Sequence, residues 1–365
     1  MASVPMFLDP EPQRLLDDFL ARKGAPGGAL TILQNGIETS YVSGTADLAS
    51  GAPVTTASLF EVGSQTKMMT AVTTLRLVAE GEVELDAPIA RYVDADDLAG
   101  IANAGDATVR QLLAMSSGMP NYTDVTTASG ELSFVQWMDD HPGRYLGADE
   151  SLDLVRGLAA GFEPGASYDY SNTNYVLLGR MIENVTGQSL ETAFRERVFL
   201  PAGMSDTTLQ RFPIDSDRTE GYAGGDFVGQ LVPTNGYLWN PGPEGGAISQ
   251  SDDMARFVDA LLDDSTLLSA DLVDFMVDGG VTGPQGSTTY GLGIFTLDGL
   301  DFGTPTGHDG GTLGANSVTM HIPELDVTIS IATNLSGSSP TELLGEVVNF
   351  IRTDLGWGYW HRDII

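Results

Sequence analysis

The stretch Gly28-Ala-Leu-Thr-Ile-Leu-Gln34, Asn35-Gly36, Ile37-Glu-Thr-Ser-Tyr-Val-Ser-Gly44 reads as two strands joined by a two-residue turn, because Asn-Gly supplies the positive φ angles such a turn needs. Before it, Leu15, Phe19 and Leu20 stand at helical spacing between Asp9 and Lys23, and Gly24 and Pro26 stop that helix. Strand patterns return near the other end, at Tyr290 to Leu297, Ser317 to Ile322 and Val327 to Thr333, with Pro323 as a break and a last helix from about Pro340 to Leu355. In between, helical steps run from Ser64 to about Gly81 through Met68, Val72, Leu75 and Val78, and again over Leu152 to Ala160, Asn172 to Thr186 and Ser251 to Leu262. Sheet signals at both ends with helices between predict an α/β fold of the α+β type. Residues 1–62 and 285–365 form one antiparallel sheet flanked by helices, residues 63–284 form a mostly helical lobe, and the active site is expected at their seam.

The chain has 365 residues, 42% of them apolar, enough for one large or two closely packed domains with substantial cores. No run of eighteen uncharged apolar residues occurs, and the start MASVPMFLDPEPQ lacks a basic stretch followed by an apolar one. The expectation is a soluble chain with neither a membrane span nor an intact signal peptide, either cytoplasmic or a mature exported chain. Absence of cysteine excludes disulfides, thiolate metal sites and a cysteine nucleophile, and leaves the compartment open. A net charge of −33 makes phosphate backbones and anionic membranes repulsive, so no nucleic-acid partner is expected. The acids are dispersed in pairs such as Asp17-Asp18, Asp96-Asp97 and Asp139-Asp140, and lysine occurs only at positions 23 and 67. Two readings of this acidic shell stay open: adaptation to a salty medium, or simply an acidic, soluble protein.

Three short motifs can carry chemistry. Ser64-Gln65-Thr66-Lys67 opens a helix after Gly63, and residues three apart share a face, so hydroxyl and amine come within hydrogen-bond reach as nucleophile and base. The helix start also offers an unpaired N–H and the positive end of the dipole, which suits an oxyanion hole. The plain alternative is a cap serine followed by a surface lysine. Tyr170-Ser171-Asn172 lies between the turn-forming Glu163-Pro164-Gly165 and an apolar helix; a phenol near a cation can pass a proton, and an amide can hold a lysine amine. Alternatively Asn172 or Ser171 merely caps the helix. His308 stands in Gly307-His-Asp-Gly-Gly-Thr312, just before a strand, where glycine lets backbone approach a ligand; the alternative is a plain turn. His141, His321 and His361 are isolated and no metal spacing appears, so neither a metal nor a cofactor is expected. A GxSxG elbow and a glycine-rich phosphate loop are also missing.

In this order the three motifs resemble those of the serine β-lactamase and penicillin-binding protein-like hydrolases, whose related set is SxxK, SDN and KTG. The chain is most similar to the branch holding class C β-lactamases, D-alanyl-D-alanine carboxypeptidases, family VIII esterases and D-aminopeptidases, where the second motif is YxN and the third KTG or HxG. Phe60-Glu-Val-Gly-Ser64, Gln111-Leu-Leu-Ala-Met-Ser-Ser-Gly118, Gly245-Gly-Ala-Ile-Ser-Gln-Ser-Asp-Asp-Met-Ala-Arg-Phe257 and Tyr290-Gly-Leu-Gly293 extend the likeness over almost the whole chain. The resemblance implies Ser64 as nucleophile, Lys67 and Tyr170 as shared base and acid, Asn172 as a positioning amide, and His308, Asp309 and Gly310 as substrate-binding residues. It also implies an oxyanion hole from the backbone N–H groups of Ser64 and Gly311. Two departures bear on the substrate: Asp309 and Gly311 stand where carboxylate-recognising members use hydroxyl donors and often a nearby cation, and Tyr290 to Asp298 holds no Lys or Arg. The expectation is therefore a metal-free serine hydrolase acting through an acyl-enzyme on small esters, amides or short peptides that present an amine or no charge. The rival readings are a β-lactamase or D-alanyl-D-alanine carboxypeptidase, and a non-catalytic binding protein with a vestigial site.

The two readings of the acidic shell differ in salt response, since the Debye length falls from about 10 Å at 0.1 M to about 3 Å at 1 M. If the shell is a saline adaptation, urea melts repeated at low and molar salt will show the midpoint rising with salt; unchanged stability removes the idea.

Overall fold

The computed structural model describes residues 10–209, 218–224, 231–235, 242–263, 266–282, 288–298, 300 and 302–354. Asn35 and Gly36 take φ of 51° and 70°, so Gly27–Gln34 turns back after two residues and pairs with Ile37–Asp47, Gly28 opposite Ser43 and Gln34 opposite Ile37. The other edge of Gly27–Gln34 pairs antiparallel with Val327–Thr333, Gly28 opposite Thr333. Strands from near the two ends of the chain thus meet in mid-sheet. Among the described residues the sheet has nine strands in the order Ala52–Pro53, Ile37–Asp47, Gly27–Gln34, Val327–Thr333, Asn316–Ile322, Thr306–Gly311, Phe295–Leu297, Thr288–Tyr290 and Val281–Thr282. Every residue of Val327–Thr333 is buried, as a β-branched run covered on both faces should be.

The two faces carry different chemistry. Leu30, Ile32, Ile329 and Ile331 pack with Leu16, Phe19 and Leu20 of the helix Glu11–Lys23 and with Leu343, Val347 and Ile351 of Thr341–Asp354. The alternating residues bear hydroxyls and meet the helix Ser251–Leu262: Thr31 Oγ1 lies 2.8 Å from Ser251 Oγ, and Thr328 donates to Asp259 over 3.1 Å. A second apolar cluster fills the helical region, where Met68, Val72 and Leu75 of Thr66–Ala79 pack with Leu112, Leu113 and with Tyr175, Leu178 and Ile182 of Asn172–Thr186. Tyr290, Leu292 and Ile294 belong to this cluster, so the sheet's far edge is tied to it. The result is the expected α/β class, a large antiparallel sheet with helices. Among the described residues no helix is long and apolar enough to cross a membrane.

Several segments differ from expectation for identifiable reasons. Tyr290 to Leu297 is two strands rather than one, with Tyr290 opposite Phe295, because Gly293 at φ 79° turns the chain. A Cβ there would meet Tyr175 Oη at 2.7 Å and Lys67 O at 3.0 Å, so only glycine lets this turn lie on the helix Thr66–Ala79. The helix expected over Leu152 to Ala160 is Ala148–Asp153, and Gly157, at φ 79°, bonds instead to the Gly100 carbonyl. Thr306–Gly311 is itself a strand, where a glycine-rich approach to one was read. Asp9 and Leu355, the outer limits expected for the terminal helices, lie outside the described residues.

Candidate active site

Ser64 sits in a 3-10 turn, Gly63–Gln65, that runs directly into Thr66–Ala79. The turn is pinned from both sides. Val62 N–H donates to Ala247 O at 3.1 Å, Ala247 N–H to Thr66 Oγ1 at 3.1 Å, and Thr66 Oγ1 to Gly63 O at 2.7 Å. Across the cleft, Gln65 Nε2 donates to Ser317 Oγ at 2.6 Å and Ser317 Oγ to Val62 O at 2.9 Å. Gly63 has φ 54°, and a Cβ on it would lie 2.8 Å from both N and O of Gly311. The strand Thr306–Gly311 therefore lies flush against the serine turn, bringing Ser64 and Gly311 to one cleft.

Lys67 is fully buried one turn further on. Its Nζ lies 3.1 Å from Ser64 Oγ and donates to Asn172 Oδ1 at 2.7 Å and to Glu244 O at 2.6 Å. The last two partners are acceptors and consume two N–H groups, so a neutral amine directs its lone pair at the serine hydroxyl. Burial pushes the Lys67 pKa down to about 7, against the upward pull of the Glu244 and Asp309 carboxylates. Asn172, the first residue of its helix, is held by Asn121 Oδ1 accepting its backbone N–H at 3.0 Å and by Thr123 Oγ1 accepting from its amide at 3.1 Å.

Tyr170 completes the cluster. Its ring lies 4.9 Å from Lys67 Nζ and edge-on to Tyr290. Burial pushes the phenol well above its ordinary range, outweighing the downward pull of the Ser64 hydroxyl. Tyr170 is thus a protonated hydroxyl at neutral pH, and Lys67 is the group poised to take a proton.

The third motif divides along its strand. His308 is buried between the Tyr290 and Phe295 rings, its Nδ1 2.5 Å from Asp309 O and its Nε2 3.4 Å from Tyr290 Oη. Burial lowers its pKa to about 4, so it is neutral and reaches the tyrosine side of the site through Tyr290. Gly310 is buried where a Cβ would stand 1.9 Å from Val62 O, so it serves close packing. Asp309 points outward with its side chain 63% exposed and borders a cleft of about 300 Å³ with Tyr168, Phe295, Leu297 and Met320.

Ser64, Asn172 and Gly311 line a separate cleft of about 210 Å³ together with Glu61, Thr123, Glu244, Gly245 and Thr312. Glu61 and Glu244 were not singled out by sequence, since nothing distinguishes them among fifty acids. Glu61 accepts from Thr312 Oγ1 at 2.5 Å and pairs with the buried Arg218. Arg218 also walls a larger, polar cleft of about 420 Å³, with Asp47 and Glu220, that contains none of the motif residues. Among the described residues no group of three or more His, Asp or Glu is placed to hold a metal ion.

A family model described as Beta-lactamase matches residues 12–349. Penicillin-binding protein 4 of Amycolatopsis lactamdurans is 27% identical over 357 residues, covering 92% of this chain and 88% of that protein. A D-aminopeptidase of Brucella anthropi is 29% identical over 354 residues, covering 93% of this chain and 64% of the longer relative. Among solved structures, the D-amino acid amidase from Ochrobactrum anthropi SV3, complexed with L-phenylalanine amide, superposes with a TM-score of 0.78 at 28% identity, covering 94% and 98% of the two chains.

The contact between Gly63 and Gly311 makes a sharp expectation. Gly63→Ala will cost activity out of proportion to stability, lowering kcat/KM for a p-nitrophenyl ester at least tenfold while the thermal midpoint falls only by several degrees. Wild-type kinetics in the variant will show that the turn and strand can separate at no cost.

Proposed function

Since the chain belongs to the β-lactamase family and is a serine hydrolase, we propose that Ser64 attacks the carbonyl carbon of an ester or amide while its proton passes to Lys67 Nζ. The observation that carries this is the fully buried amine 3.1 Å from the serine oxygen with both other partners acceptors. The backbone N–H groups of Ser64 and Gly311 receive the oxyanion, a contribution of about 3 to 4 kcal/mol per donor in other hydrolases. As the tetrahedral intermediate collapses, the C–N or C–O bond breaks, the leaving group takes a proton from Tyr170, and Lys67 returns one to Tyr170. Water then attacks the acyl carbon by the same proton route and frees Ser64. Asn172 holds the lysine amine in place, and His308 braces the tyrosine side from beneath the strand.

The substrate we propose is a small ester, amide or short peptide with an amine or no charge, as an esterase or a D-amino-acid amidase or aminopeptidase would take. In support, none of the residues lining the 210 Å³ cleft is Lys, Arg or His, whereas Glu61 and Glu244 are among them. Asp309 adds a further negative charge at the neighbouring cleft. Because Asp309 is mostly exposed, its repulsion of a carboxylate is screened toward the value in water, about 1 kcal/mol at 4 Å. The names of the D-aminopeptidase and D-amino acid amidase relatives agree with an amine-bearing substrate. The second reading, a β-lactamase or D-alanyl-D-alanine carboxypeptidase, is favoured by the likeness to penicillin-binding protein 4.

A panel of p-nitrophenyl esters, D- and L-amino-acid amides and nitrocefin separates these readings, with nitrocefin turnover rivalling the best ester as the result that favours the second. Intact-mass spectrometry after a fluorophosphonate will show an adduct on the wild type and none on Ser64→Ala; an unlabelled wild type would support binding alone. Lys67→Ala and Tyr170→Phe will each lower kcat by about 10²- to 10⁴-fold while retaining the thermal midpoint within a few degrees. The lysine must be neutral to act, so kcat/KM will rise with pH through a midpoint near 7. Asp309→Thr will improve kcat/KM for carboxylate-bearing substrates about fivefold.

A further inference from the structure

Glu244 is a buried carboxylate that the reaction as written does not use. It is 3% exposed and belongs to a segment clamped onto the nucleophile helix at two places one turn apart: Thr70 Oγ1 donates to Pro243 O at 2.6 Å, and Lys67 Nζ to Glu244 O at 2.6 Å. Gly245, the next residue, packs on Gly63. The Glu244 side chain is fixed as well, since Oε1 accepts from Tyr122 Oη at 2.9 Å and Tyr122 is fully buried. Tyr122 is anchored in turn by its N–H to Thr173 Oγ1 at 3.2 Å, beside Asn172. A carboxylate enclosed in this way favours a positive charge nearby, and it pulls the Lys67 pKa upward against the effect of burial.

We propose that Glu244 is the buried counter-charge that holds the proton on Lys67 while the acyl-enzyme forms, an assignment that rests on reading Lys67 as the base. When the Ser64 O–H bond breaks, its electron pair goes to the acyl carbon and its proton to Nζ, creating an ammonium in a site closed to water. Asn172 Oδ1 and Glu244 O accept from that ammonium as dipoles, and the Glu244 carboxylate supplies the opposing full charge. Glu244 neither gives nor takes a proton in this scheme, so it is a positioning residue rather than a catalytic one. The other groups facing Lys67 leave it this part. Tyr170 and Tyr175 present rings to Nζ and are kept neutral by burial. His308 is also neutral, and Asp309, though anionic, is mostly exposed to solvent.

The composition supplies a direct measurement, because the chain has only two lysines, Lys23 and Lys67. Lysine labelled with 13C at Cε gives one signal for each, and Lys67→Ala assigns them. In Glu244→Gln, which keeps an acceptor for Tyr122 and the backbone carbonyl for Lys67, the Lys67 titration midpoint will fall by about one pH unit or more, while Lys23 stays unchanged. The acidic limb of kcat/KM for a p-nitrophenyl ester will move the same way, and its plateau will drop, by up to about tenfold for each unit of that fall, as the amine becomes a weaker base. Glu244→Asp keeps the charge but withdraws it by one methylene, so it must show a smaller fall; it serves as the test should the glutamine variant not fold. A Lys67 midpoint identical in wild type and Glu244→Gln overturns the proposal. Acylation that survives in Lys67→Ala with its pH limb intact instead overturns the reading of Lys67 as base, leaving the charge coupling to stand or fall on the titration alone.

Discussion

One amine sealed from water organises this molecule. A buried lysine must find acceptors for its N–H groups, and Lys67 finds them on two other segments, the first turn of Asn172–Thr186 and the peptide carbonyl at Glu244, with Ser64 on its own helix. Satisfying one side chain therefore ties together three stretches of chain, the outer two 177 residues apart. The burial that makes this demand also brings the amine close to neutrality at physiological pH. The same burial acts oppositely on Tyr170, keeping its proton on. A shared environment thus sets the two groups apart, an amine near neutrality beside a phenol that keeps its proton.

Much of the fold could be read from local pattern. The Asn35-Gly36 turn, the αL stop at Gly24 and the β-branched runs of Asn316–Ile322 and Val327–Thr333 each follow from side-chain size and backbone freedom over a few residues. What escaped were features whose cause lies elsewhere in space. Thr306–Gly311 contains three glycines, which weaken any strand signal, yet pairing with Asn316–Ile322 and the approach to Val62 and Gly63 hold it extended. Gly293 bends its strand because Tyr175 and Lys67 leave no room for a side chain there. The motif residues Ser64, Lys67, Tyr170 and Asn172 do meet, and a spacing of three on one helix was enough to foresee half of that encounter. Glu244 was invisible because its place is decided by Thr70, Lys67 and Tyr122 together.

The acidity of the chain has a structural side. The few arginines are drawn into pairs, Arg180 with Asp97, Asp149 and Glu183, and Arg256 with Glu38, Asp252 and the fully buried Asp253. Arg218 is spent behind the catalytic cleft on Glu61, a residue that also accepts from Thr312 beside Gly311. An arginine that in another protein could greet an anionic substrate is here committed to bracing, through Glu61, the end of the strand Thr306–Gly311. The cleft is left with carboxylates, amides and hydroxyls facing whatever enters.

Because residues near 30 pair with residues near 330, the centre of the sheet cannot close until the ribosome has passed Thr333. The lysine helix, made much earlier, has to wait for Gly311 before the serine turn finds its wall. Such long-range pairing slows folding and leaves the hydroxyl-rich and apolar faces uncovered in the meantime. A nascent chain that carries Ser64 and Lys67 but not yet Gly311 therefore lacks the wall on which the serine turn rests.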